Sequence, residues 1–195
     1  MKAAHKIFVL ICIIYFTELK IGVNGADPVD EIIFIYVGGP EKNELFDLSS
    51  RFSRVNRTHQ KMTGTMKLLN DITDDNNLDV NIYRQDGGGW HGIVQREFEG
   101  QCTTLMSKKG FGYPVKNLLF KVLPEKCPVK PGTYNFSQVM PRYRREWSKE
   151  FAALIPALVP TADKWRIDVI SVNSEKQKVA LIRFEFRLIN KFSSQ

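Results

Sequence analysis

The 195-residue chain contains few of the residues on which catalysis most often depends, with three histidines and three cysteines. It has no Gly-X-Ser-X-Gly, His-Glu-X-X-His or phosphate-loop motif, each of which marks a particular enzymatic mechanism. Gly87–Gly89 lacks the Lys-Ser/Thr that ends a phosphate loop, so a hairpin turn explains these glycines better. His91 beside Trp90 is a candidate general base, but the sequence implies no nucleophile near it. We therefore expect a protein without enzymatic activity.

Metal-ligand patterns are equally scarce. In one acidic stretch, Asp75, Asn77 and Asp79 match the first, third and fifth positions of a calcium-binding loop. Val80 and Asp86 then stand where such a loop requires glycine and glutamate. The stretch is more typical of a solvated β-turn, and we expect neither a bound metal nor another cofactor.

Long apolar runs are also missing after the N-terminus. Residues 7–16 form an apolar run that follows a positively charged start and is too short to span a bilayer. This arrangement is typical of a secretory signal peptide, although an uncleaved anchor or a buried strand is the alternative. Because Gly25 suits the position before a cleavage site, we expect residues 1–25 to be removed and residues 26–195 to form a single secreted domain.

Export changes the interpretation of the cysteines. Cys12 leaves with the signal peptide, so Cys102 and Cys127 remain as an even pair in an oxidising compartment, where one disulfide is expected. It would close a loop of about 25 residues and contribute about 3 kcal/mol if unstrained. Asn56 and Asn135 each begin an Asn-X-Ser/Thr sequon, which predicts glycosylation of an exported chain.

Charge of one sign is not concentrated along most of the chain. Loss of three lysines and one glutamate with the signal peptide lowers the net charge from +7 to +5. Nucleic acid is not an expected partner for such an exported chain. Arg142, Arg144 and Arg145 form a local basic cluster near Trp147. The cluster is either a solvated face or a docking patch for a membrane surface or a receptor.

Strand patterning is the dominant positive signal. In residues 178–190, apolar Ile182, Phe184, Phe186 and Leu188 alternate with charged residues, and residues 164–172 alternate in the same way. The two segments predict an antiparallel hairpin. Further strands are predicted at residues 31–37, 60–69, 78–85, 90–98 and 133–139. Regularly spaced strands separated by turn residues favour an all-β, immunoglobulin-like antiparallel sandwich or cup.

Two segments do not fit the strand pattern. Residues 101–108 predict a short helix or an irregular turn around Cys102. Residues 142–160 begin basic and aromatic, become apolar, and allow one or two helical turns before Pro156. The apolar part, residues 151–159, is either a buried connection or a flap at the mouth of a cavity.

Several short tracts resemble a family of secreted insect proteins. They are residues 56–58 (NRT), 62–64 (MTG), 127–134 (CPVKPGTY), 154–160 (LIPALVP) and 165–168 (WRID). That family is similar to the GM2-activator and MD-2-related lipid-recognition (ML) proteins and includes chemosensory B-type members. The resemblance implies a β-cup around an apolar cavity that takes a lipid, a sterol or a hydrocarbon-type pheromone, without enzymatic chemistry.

Apolar side chains on the predicted strands and flap are the candidate ligand contacts. They are Phe136, Phe151, Leu154, Trp165, Phe184 and Phe186. Plain core packing is the alternative role for each of them. The leading functional hypothesis is a secreted, non-enzymatic carrier of an apolar ligand. The alternative is a protein-interaction module or receptor accessory protein with a filled core, and a divergent secreted hydrolase is a third hypothesis.

Overall fold

The computed structural model describes residues 31–39, 43–110, 112–143 and 164–189. Within these ranges the chain forms eight strands and two short helices. The strands are β1 (Glu31–Gly38), β2 (Phe46–Arg54), β3 (His59–Leu68), β4 (Asn77–Asp86), β5 (Gly89–Phe98), β6 (Gly132–Pro141), β7 (Lys164–Val172) and β8 (Lys178–Ile189). The helices are α1 (Gln101–Met106) and α2 (Tyr113–Leu119), both between β5 and β6.

The strands form two antiparallel sheets, which confirms the predicted all-β class. One sheet has five strands in the order β1-β8-β7-β4-β5, and the other has three in the order β2-β3-β6. Buried side chains of both sheets belong to one hydrophobic core. Phe34 of β1 stacks on Phe52 of β2, with ring centroids 5.9 Å apart, and so joins the two sheets directly.

The hairpin predicted at the C-terminal end is β7–β8. Trp165 pairs with Phe186, and Ile167 pairs with Phe184, so the apolar faces of the two strands coincide. The β4–β5 hairpin turns at Gly87 and Gly88, which both have positive φ and therefore suit glycine.

Two elements were not predicted. Strand β2 (FDLSSRFSR) contains no β-branched residue and is rich in serine, so propensity gives little indication of it. It forms because its backbone pairs with β3 over its whole length, from Phe46 opposite Leu68 to Arg54 opposite Gln60. Helix α2 is only seven residues long and gives a weak periodic signal.

Candidate apolar binding site

An apolar cavity of about 130 Å³ lies between the five-stranded sheet and the two helices. The wall formed by the sheet consists of inward-facing side chains of its central strands. They include Val80, Ile82, Ile167, Val169, Phe184 and Phe186. Period-two alternation places these residues on one face, and the opposite face of β7 carries Arg166 and Asp168.

The facing wall is helical. It consists of apolar residues from α1, α2 and the residue that follows α2, namely Leu105, Met106, Val115, Leu119 and Phe120. Phe46 of β2 and Met66 of β3 complete the lining from the smaller sheet. Because two methionines contribute, the lining contains unbranched, adaptable side chains that can repack around different shapes.

Helix α1 is held to the rest of the protein at its first turn. Cys102 forms a disulfide with Cys127, with Cα atoms 5.8 Å apart, so the two cysteines pair as the sequence predicts. Asp74, in the loop before β4, accepts hydrogen bonds from the Thr103 backbone N–H at 2.7 Å and from Thr103 Oγ1 at 2.5 Å. These bonds lower the pKa of the Asp74 carboxyl below its ordinary value. The carboxylate thereby acts as a helix cap supplied from elsewhere in the chain.

Helix α2 follows α1 after a tight connection. The Gly112 N–H donates to the Thr104 carbonyl at 3.0 Å, and a Cβ on Gly112 would lie 2.7 Å from Leu105 Cδ2. Pro114 lies in the first turn of α2, where its missing N–H has no intrahelical partner to lose. The close approach places Val115 and Leu119, four residues apart, on the cavity side.

Most polar side chains at the cavity are hydrogen-bonded within the protein. Ser171 Oγ donates to Gln101 Oε1 at 2.6 Å, and Thr104 Oγ1 donates to the Glu99 carbonyl at 3.1 Å. Lys116 also lines the cavity and is only 3% exposed. Its Nζ is buried without a hydrogen-bond partner among the described residues. Desolvation by burial lowers the pKa of Lys116, and the nearby Glu125 opposes that effect.

The predicted ligand contacts fall into three groups. Phe184 and Phe186 line the cavity. Trp165 and Phe136 are buried in the core but do not line it. The ring of Phe136 packs edge-on against Phe120, with centroids 5.5 Å apart, and so supports the cavity wall from behind. Phe151 and Leu154 lie outside the described residues.

Arg142 is the one member of the predicted basic cluster that falls within the described residues. Its guanidinium forms an ion pair with Glu31, at 2.5 Å from Nη2 to Oε1, and both side chains are mostly buried. Arg142 therefore joins the end of β6 to β1. Arg144, Arg145 and Trp147 lie outside the described residues, as does the signal segment 1–25.

The remaining predicted groups lie away from the cavity. Asn56 and Asn135 are exposed, Asn56 in the β2–β3 turn and Asn135 on β6. His91 is exposed near the β4–β5 turn, where its Nε2 lies 3.2 Å from the Asp86 carbonyl oxygen. Within the described ranges, no group of three or more His, Cys, Asp or Glu residues could hold a metal ion. Sequence reasoning missed Lys116, because a lysine in a short apolar helix is ordinarily taken to be exposed.

The described part of the chain thus forms two antiparallel sheets, with an apolar cavity between the larger sheet and a pair of short helices. None of its described helices is long and apolar enough to cross a membrane. No family model matches the chain, and no curated protein matches it. Among solved structures, it is similar to a Niemann-Pick type C2 protein from the Japanese carpenter ant. The two are 11% identical with a TM-score of 0.28, over 84% of this chain and 97% of the ant protein. A score this low supports no functional transfer.

Proposed function

We propose that this chain is a secreted, non-enzymatic protein that binds a small or slender apolar molecule in the cavity between the five-stranded sheet and helices α1 and α2. The observation that carries the proposal is the cavity itself, because side chains around an apolar space lack packing contacts that they would make in a filled core. A ligand there would gain roughly 25 cal/mol for each Å² of apolar surface buried, before the costs of binding.

The cavity volume restricts the class of ligand. At about 130 Å³, it is close to an engineered cavity of about 150 Å³ that holds benzene, and below the roughly 300–1,000 Å³ of drug-sized pockets. A sterol would require a large expansion. A hydrocarbon chain or a small ring fits better, and repacking of Met66 and Met106 offers room for a longer chain.

The same small volume favours one alternative function. If the core is effectively filled, the protein is an interaction module and the cavity is a packing defect. Export, glycosylation at Asn56 and Asn135, and a chemosensory role stay predictions under either function. The exposure of both asparagines is compatible with glycosylation, and the Cys102–Cys127 disulfide is typical of an oxidising compartment.

Uptake of naphthalene, a small fluorescent apolar probe with two fused rings, tests the carrier function. Ala180 lines the cavity and is 2% exposed, so Ala180→Phe fills the space with an aromatic ring. We expect wild type to bind the probe and Ala180→Phe to bind it at least tenfold more weakly. Val139→Phe is the matched control, because Val139 is 55% exposed on β6.

Two outcomes would support the interaction module instead. Natively secreted protein would yield no apolar compound on solvent extraction and mass spectrometry, and wild type would not take up the probe. Circular dichroism checks that the filled variant folds. If Ala180→Phe does not fold, Val169→Phe fills the same cavity from β7. Undiminished uptake by a folded cavity-filling variant would overturn the proposed location.

A further inference from the structure

Among the described residues that line the cavity, Lys116 is the one with a cationic side chain. It lies in α2 next to Val115 and three residues before Leu119, both of which line the same space. A buried ammonium loses its hydration and costs free energy unless another group pairs with it. Its position in an otherwise apolar wall is therefore unfavourable for a protein that binds only hydrocarbon.

The described neighbours of Lys116 do not replace that lost hydration. None of the ion pairs of the described residues includes Lys116. The face of the Tyr113 ring lies 5.7 Å from Nζ, near the outer limit of a cation–π contact. The exposed Glu125 carboxylate accepts a hydrogen bond from the Tyr113 hydroxyl at 3.3 Å and acts on Lys116 only through its more distant charge.

The other polar groups of the cavity do not need a ligand. Ser171, Gln101 and Thr104 take part in hydrogen bonds within the protein. Of the buried donors that lack a partner among the described residues, Lys116 Nζ is the one that belongs to a cavity-lining residue, and the lining around it is mostly apolar. This combination matches an amphiphile with one anionic end and an apolar chain.

We infer that Lys116 anchors the carboxylate of a fatty-acid-type ligand whose hydrocarbon chain occupies the cavity, an inference that rests on the proposed function. In this low-dielectric site, Nζ donates charge-assisted hydrogen bonds to the carboxylate, and each ion replaces part of the hydration lost by the other. A neutral ligand of equal length leaves the ammonium unpaired. Lys116 therefore sets a preference for acids over the corresponding alcohols and esters.

Calorimetric titration with decanoic acid, 1-decanol and methyl decanoate tests the inference. We expect wild type to bind the acid at least tenfold more tightly than either neutral compound. Lys116→Met keeps an unbranched side chain that is one atom shorter and removes the charge. This variant should therefore lose at least tenfold in affinity for the acid and keep its affinity for 1-decanol. Lys121→Met is the matched control, because Lys121 lies just after α2 and is exposed. It should behave as wild type.

The possible failures are distinguishable. If wild type binds none of the three compounds and does not take up the fluorescent probe either, the proposed function fails. If it takes up the probe but none of the three, the anchor is overturned. If all three bind equally and Lys116→Met changes nothing, the cavity binds apolar molecules and the anchor is overturned. Carbon-13 NMR of carboxyl-labelled decanoic acid on wild type gives a readout that needs no variant. Pairing with Lys116 keeps the bound carboxylate ionised to lower pH than in the free acid, and an unchanged or raised titration midpoint overturns the anchor.

Discussion

Ser171 on β7 donates a hydrogen bond from Oγ to Gln101 Oε1, the first residue of α1, over 2.6 Å. Both side chains are buried, at 1% and 4% exposure. The bond connects residues 70 positions apart in the sequence. It joins the sheet wall of the cavity to the helical wall, and the Gln101 N–H reinforces it by donating to the Asn76 carbonyl at 2.7 Å. The start of α1 is therefore fixed to the sheet, independently of any ligand.

Removal of this hydroxyl should destabilise the fold more than its size suggests. In Ser171→Ala, Gln101 Oε1 remains buried and loses its donor, which costs about 1–3 kcal/mol. Urea unfolding followed by circular dichroism measures the loss. Ser49→Ala, at an exposed position on β2, is the control and should change stability by less than about 0.5 kcal/mol. Equal effects of the two substitutions would contradict a structural role for the bond.

Asp74 should make the stability of the protein depend on pH in the acid range. Because hydrogen bonds from Thr103 lower its folded pKa, its contribution is present above the unfolded carboxyl pKa of about 3.9 and is lost as pH falls through the folded value. We expect Asp74→Ala to cost about 1 kcal/mol at neutral pH, as for loss of a helix cap. Below the folded pKa the wild-type carboxyl is protonated, so Asp74→Ala and wild type should there have the same free energy of unfolding.

The neighbouring Asp75→Ala substitution is the control for Asp74. The Asp75 carboxylate accepts a hydrogen bond from Thr73 Oγ1 within its own turn and holds no helix. The Asp75→Ala substitution should therefore lower the free energy of unfolding by less than Asp74→Ala does, in the same pH series of urea unfolding curves. A constant difference between wild type and Asp74→Ala at every pH would show that the carboxylate charge has no part in the capping.

The disulfide should contribute both stability and order at the cavity. Cys102 and Cys127 are 25 residues apart, and the loop-entropy relation gives about 3 kcal/mol for such a loop. The double variant Cys102→Ala/Cys127→Ala should lose roughly this amount, and wild type measured in reducing agent should lose the same. We also expect faster amide exchange in α1 and α2, which the bridge encloses. Unchanged stability would mean that contacts such as Ser171–Gln101 hold the helices without the bridge.

The fold was predictable where burial is one-sided. In β8, Phe184, Phe186 and Leu188 are buried, whereas Arg187 is exposed. This alternation with a period of two residues identifies the strand directly from the sequence. Strand β2 lacks that signal because it forms through pairing with β3. Local propensity does not reflect this interaction between distant parts of the sequence. The register of such a pair depends on residues far apart in sequence.

The site was predictable only in part, for a related reason. The sheet contributes Phe184 and Phe186, which alternation identifies, but the cavity also requires a second wall. That wall is the α1–α2 pair, whose geometry depends on the close approach at Gly112 and on the bridge to Cys127. Lys116 is buried only because α2 packs there. Nothing in the local sequence distinguishes it from the exposed Lys121.

Lys116 gives a prediction in which stability and binding change in opposite directions. Burial lowers its folded pKa below the unfolded value of about 10.4. The unfolded chain therefore holds the proton more tightly, and the buried charge destabilises the ligand-free protein at neutral pH. This cost fades as pH rises through the interval between the two pKa values. Lys116→Met should accordingly be more stable than wild type at pH ~7, by about 1–3 kcal/mol, and this advantage should shrink toward pH ~10.

Saturating decanoic acid should reverse that order. A ligand that binds only the folded state stabilises it by RT ln(1 + [L]/Kd), or about 2.7 kcal/mol at one hundred times Kd. Wild type gains this stabilisation, and Lys116→Met gains less because it lacks the anchor. Urea unfolding of both proteins at neutral pH, with and without the acid, measures the crossing. A variant that is less stable than wild type without ligand would mean that the ammonium already has a partner within the protein, and the carboxylate anchor would then be unnecessary.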